Sequence, residues 1–161
     1  MRSLRRTALA LLACVLVSPL AAAQTKAAFD RIVDFSVTLK TVSAAATGGA
    51  ALPANRLFLL EGSIGEVVVL DDRPGAWKVR VELVAGEWIG TDEVRGYRCW
   101  VTFTGAEYAE IFPGEPLKEP SPGYLPTHAR VLVLARAPAP VVTPLGERFM
   151  ELEGIAVRSG L

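Results

Sequence analysis

Few residues of the chain combine into a catalytic set. His128 is the single histidine among 161 residues. One imidazole cannot build a two-histidine metal site, and as a general base it needs a nucleophile brought to it. Of the two cysteines, Cys99 could serve, yet it alternates with Val101 and Phe103. That parity aims it inward, where cysteine behaves as a small hydrophobe. The carboxylate pairs Asp71-Asp72 and Asp92-Glu93 could do acid–base work or hold calcium only if they converged. Each falls in a turn-like stretch, where aspartate is favoured for bonding nearby backbone. Gly48-Gly49 lacks a following Lys-Ser or Lys-Thr, so it is no phosphate loop. The expectations are no catalytic residue, no metal, no cofactor and no enzymatic activity.

A different group carries a binding chemistry. Trp77, Val79, Val81 and Leu83 alternate with Lys78, Arg80 and Glu82, and Tyr97, Cys99, Val101 and Phe103 alternate with Arg98, Trp100 and Thr102. A period of two marks half-buried strands. With the odd positions inside, Lys78, Arg80, Arg98 and Trp100 face outward on two strands expected to pair as a hairpin. Cations around an exposed indole hold an anionic or flat ligand by ion pairing and stacking. The plainer alternative is an ordinary charged strand face, with Trp100 covered by the N-terminal segment.

The elements that must position this group are short strands between turn signals. Val33, Phe35, Val37 and Leu39 alternate with polar residues and predict a strand over 32–40; a helical reading through Phe29, Ile32, Val33 and Val37 is less complete. Residues 43–55 are small and read as a linker. Leu57–Leu70 is a long β-branched run, and Gly62 and Gly65 inside it suggest a bend. Asp71–Gly75 is a turn, the alternating run from Trp77 can extend through Ile89, and Gly90–Arg95 is turn-like. Ala106–Phe112 can make a helical turn or two. Residues 113–127 hold five of the eleven prolines, too many for a regular element. Strands follow at 129–136 and 149–157, with Pro138, Pro140 and Pro144 expected to break the chain between them.

Strands with one short helix between the third and fourth of the block, from Leu57 to Val157, argue for a small barrel or sandwich. The glycine-bent first strand, the turn at Asp71–Gly75 and the helix at Ala106–Phe112 resemble the OB-fold, a five-stranded Greek-key barrel. The likeness to bacterial exported OB-like proteins is architectural and no motif carries it. It leaves an extra N-terminal strand at 32–40 and a long proline loop to be accommodated, and keeps a β-sandwich as the alternative. In OB-folds the second and third strands form the usual ligand surface, so the resemblance points to the same Lys78, Arg80, Arg98 and Trp100.

The N-terminus reads as an export leader: Arg2, Arg5 and Arg6, then an apolar run to Val17, then Ala21-Ala22-Ala23 before Gln24. The expected organisation is a signal over 1–23, a strand and linker over 24–56, and a barrel domain over 57–161. Cleavage near Ala23 implies a periplasmic or secreted chain; the alternative is a lipoprotein anchored at Cys14, after Leu11-Leu12-Ala13. Without Cys14, Cys99 has no disulfide partner, so packing must hold the fold. No apolar run after residue 23 is long enough to span a bilayer. The formal charge of +0 becomes 14 basic against 17 acidic residues once the leader's arginines are gone, a net −3. That balance excludes a strongly basic nucleic-acid binder and makes nucleic acid an unexpected partner. The expected function is an exported binding module for an envelope protein or an anionic or flat ligand. The alternative is an accessory subunit of an envelope complex, docking through strand 32–40 and the loop 113–127.

Overall fold

The computed structural model describes residues 31–48, 52–53, 56–114, 119, 121–142 and 148–160. The leader, Cys14, Gly49 and Pro144 lie outside these residues. The chain divides into two compact units, Met1–Val33 and Asp34–Leu161. Of the first, only 31–33 are described. The two-residue strand β1 (Val33–Asp34) stands at the division. The second unit runs α1 (Leu39–Ala46), β2 (Leu57–Asp71), β3 (Lys78–Ile89), β4 (Glu93–Thr104), α2 (Tyr108–Ile111), β5 (Arg130–Val142) and β6 (Arg148–Ser159).

β2 pairs antiparallel with β3, β3 with β4 and β5 with β6; β6 lies parallel to β4, and β5 returns antiparallel to β2. The five long strands thus form one cycle of pairings, β2-β3-β4-β6-β5-β2, with β1 as the extra strand. A sandwich would consist of two separate sheets, each with its own edges, whereas this ladder returns to its first strand, as in an OB-like barrel. β2 serves both sides of the cycle because it is long: Leu57–Ser63 pairs with β5 and Ser63–Asp71 with β3. The hand-over falls beside Gly62, where a Cβ would sit 2.8 Å from Leu39 Cδ1 and 3.0 Å from the Val84 carbonyl. The register then shifts between Ile64 and Val67, across Gly65.

In the lower part of the hairpin the odd residues pack inside: Val79, Val81, Leu83, Cys99, Val101 and Phe103 are each at most 1% exposed, whereas Tyr97 is half-buried. They meet Phe58, Leu60 and Ile64 of β2, Val131 and Val133 of β5, and Leu152 of β6 in one core. Phe103 anchors α2, with ring centroids 4.9 Å from Tyr108 and 5.6 Å from Phe112. The Tyr108 hydroxyl donates to the Ile155 carbonyl at 2.9 Å.

Three boundaries differ from the sequence reading. The extra strand expected over 32–40 contracts to Val33–Asp34. The Asp34 carboxylate accepts from the Ser36 backbone N–H (3.0 Å) and hydroxyl (2.6 Å), which turns the chain. Thr38 then accepts from the Thr41 N–H and Thr41 accepts from the Thr38 N–H, a capping box that starts α1. Leu39, Val42 and Ala46 of α1 are buried, a helical spacing that overrides the short alternation. The reading of 43–55 as linker therefore fails at 43–46. Lastly, β5 continues through Pro138 and Pro140 to Val142. Its pairing with β2 ends at Arg136, and its register on β6 shifts between Arg136 and Ala139. Past that point β5 pairs, among the described residues, with β6 alone, the setting in which a strand tolerates a missing N–H.

Candidate functional site

β3 and β4 pair without a register shift over their whole length, from Lys78↔Thr104 to Ile89↔Glu93. Cross-strand partners share a face, and alternate residues along a strand share it too. The outward face therefore carries, in order, Lys78/Thr104, Arg80/Thr102, Glu82/Trp100, Val84/Arg98, Gly86/Gly96 and Trp88/Val94. All four residues singled out from the sequence lie on it.

The Arg80 guanidinium lies 4.8 Å from the centroid of the Trp100 ring. Its Nε is shielded and has no acceptor among the described residues, so ring contact takes the place of an ion pair. Arg98 is exposed and approaches Glu82 at 3.8 Å, a loose pair in water. Lys78 is exposed at the end of β3, opposite Thr104. Trp100 is half-buried. Carboxylates share the neighbourhood: Glu82, which Arg98 partly offsets, and Glu151, which accepts from the Thr102 hydroxyl at 2.5 Å. Asp71 lies opposite Lys78 and is clasped by Arg73, and Glu153 lies opposite Thr102 and is paired with Arg136, so exposed cations stand among paired acids on this face.

Sequence reasoning left Trp88 out of this group. Even-number parity from Lys78 places it on the same face, but the glycine at 86 interrupts the run that would have carried the eye to it. Trp88 is 70% exposed and its cross-strand partner Val94 is 53% exposed. On the opposite face of the same stretch, Glu87 accepts from Lys40 Nζ (2.8 and 3.1 Å) and from the Tyr97 hydroxyl (2.6 Å). The Lys40 and Tyr97 hydrogen bonds hold the Glu87 carboxyl below its usual range, and Glu87 raises Lys40. This triad helps line a groove of about 460 Å³ with Phe35, Leu59 and Ala85.

The other candidates do not assemble. Cys99 is buried, and its thiol is pushed up to about 12 by burial first and by the charge of Glu82 second. A thiol held protonated in the core is no nucleophile at neutral pH. His128 is exposed at a turn with φ 69° and donates its backbone N–H to the Ile64 carbonyl at 2.7 Å. Asp71 is clasped by Arg73, whose side chain and then backbone N–H lower the carboxyl to about 2. Asp92 lies in the turn after β3, at the other end of that strand from Asp71, so the two carboxylate pairs do not converge. Among the described residues no cluster of His, Cys, Asp and Glu could hold a metal, and no helix is long and apolar enough to cross a membrane.

No family model and no curated protein matches the chain. Among solved structures it is similar to the small single-stranded DNA-binding protein from Streptomyces coelicolor, at 13% identity and a TM-score of 0.44, over 69% of this chain and 96% of that one. It is similar as well to the SSB from Plasmodium falciparum in complex with ssDNA, at 12% identity and a TM-score of 0.44, over 68% and 96%. These likenesses are a weak OB-like resemblance of fold. They also run against the expectation that nucleic acid is an unlikely partner, and that expectation is withdrawn. Its premise was the net charge of the whole chain, whereas phosphate contacts depend on the cations of the face that meets the strand.

Proposed function

We propose that this protein is an exported, non-catalytic binding module whose outward β3–β4 face holds single-stranded nucleic acid. Bases stack on Trp100, while Arg80, Arg98 and Lys78 meet phosphates. The observation that carries this reading is the Arg80 guanidinium stacked on Trp100 on an outer sheet face, with two more cations on the same two strands. An aromatic plane for bases beside cations for the backbone is the pairing that sequence-tolerant single-strand binding uses. The face is the outer side of two paired strands, a surface suited to holding a strand lengthwise. Export rests on the order of charged, apolar and small residues over 1–23. The accessory-subunit alternative loses one of its two docking elements, since 32–40 is mostly turn and helix.

The test is titration of the mature chain with labelled oligo-dT at two salt concentrations, after mass spectrometry of its N-terminus. Expected are a chain starting at Gln24, binding that weakens with salt, and a loss of about tenfold or more in Trp100→Ala with the fold retained. Binding unchanged in Trp100→Ala combined with Arg98→Ala discards the site. A chain starting at a lipidated Cys14 replaces release from the membrane with anchoring.

A further inference from the structure

We infer that Trp88 is a second stacking station, so that a single strand lies lengthwise along the β3–β4 ribbon and full affinity needs an oligomer long enough to reach it. The inference rests on the reading of the Trp100 face as a nucleic-acid surface and goes on to fix the strand's path and footprint. Trp88 and Trp100 share one face, because the register from Lys78↔Thr104 to Ile89↔Glu93 is unbroken. The indole of Trp88 is 70% exposed, an open apolar plane rather than a packed core residue.

Between the two indoles the face dips at Gly86 and Gly96, where a Cβ at Gly96 would meet nothing within 4 Å and one at Gly86 would come 3.2 Å from Val94 Cγ1. Arg98, opposite Val84, stands on this path with an exposed side chain, a cation placed for a phosphate between the stations. The exposed cations Lys78 and Arg98 and the two aromatic planes thus match one occupant, an anionic chain bearing flat groups.

The spacing sets a length. Trp100 is opposite Glu82, six residues from Trp88 along β3. At about 3.3 Å per residue that is about 20 Å. A strand advancing about 3.4 Å per nucleotide covers it with about six nucleotides, and a stretched one with fewer. A mononucleotide or a very short oligomer reaches one station only.

The experiment is a length series of labelled oligo-dT, about three to about twelve nucleotides, on the full mature chain. It compares wild type, Trp88→Ala, Trp88→Phe and Trp100→Ala. Expected is a gain in wild-type affinity once the oligomer passes about six nucleotides, erased about tenfold by Trp88→Ala and largely kept by Trp88→Phe, with the shortest oligomers unaffected by either. If Trp88→Ala matches wild type at every length, or weakens all lengths equally, the second station is overturned while the Trp100 reading stands. If no oligomer binds wild type, both fall.

Discussion

The two halves of the β3–β4 hairpin are built from the same pairing and end up in different environments. In the lower half, β3 from Lys78 to Val84 has β2 on its other side, and β4 at Trp100–Thr102 has β6. There the odd residues are sealed into the core. In the upper half, Ala85–Ile89 and Glu93–Tyr97 pair, among the described residues, only with each other, and Trp88, Val94, Glu93 and Arg95 are exposed. Alternation dictates which residues share a face; a second layer decides whether a face is dry. The lower half spends its apolar residues on stability, the upper half keeps an exposed tryptophan, and one continuous outer face links them.

The largest effect should separate the halves directly. Leu83→Ala empties a fully buried position and should cost about 2–5 kcal/mol of unfolding free energy. Trp88→Ala, at a position 70% exposed, should stay within about 0.5 kcal/mol. Denaturant melts of both variants measure the contrast, and a Trp88→Ala loss as large as that of Leu83→Ala would show the arm to be packed. A smaller effect is expected from glycines. A Cβ at Gly154 would overlap the Phe103 ring, so Gly154→Ala should cost about 1–3 kcal/mol by overpacking. Gly96→Ala meets open space and should melt with wild type. Equal melting of the two variants would remove the distinction.

The smallest effect concerns the base of the arm, where Lys40 of α1 and Tyr97 of β4 both bond Glu87. The Glu87 carboxyl is lowered in the fold, so its contribution is present above the ordinary carboxylate pKa and fades as pH falls below about 4.5. Lys40 is raised, so its share is present below about 10.5 and is lost as pH rises past it. All three side chains are solvent-accessible, which keeps the effect local. Protection factors of the amides in the first turn of α1, corrected for the intrinsic exchange rate at each pH, should fall on acidification through this range in wild type and show no such step in Glu87→Gln. A step that persists in Glu87→Gln assigns the acid sensitivity elsewhere.

Much of this was legible in the residues. Strict alternation at 77–83 and 97–103 gave two strands, their facing and their outward Lys78, Arg80, Arg98 and Trp100, because a period of two is local and survives any partner. Thr38-x-x-Thr41 followed by Leu39, Val42 and Ala46 carried a helix, but the alternation from Val33 to Leu39 is a competing pattern of equal length. Pro138 and Pro140 read as breakers because a proline's tolerance depends on whether its edge of the strand is open. Trp88 was hidden because glycine has no side chain with which to continue a pattern.

Composition and periodicity by themselves determined the β-rich class and the hairpin's two faces, since these depend on residue type and near-neighbour spacing. Tertiary structure alone decided that β6 lies parallel to β4 and β5 returns to β2, closing the ladder. It alone decided that Arg80 rests on Trp100 and that the ribbon runs on past its neighbours to expose Trp88. Those outcomes depend on contacts between residues far apart in the chain, whose free energy is shared among many side chains and is written in no single stretch of sequence.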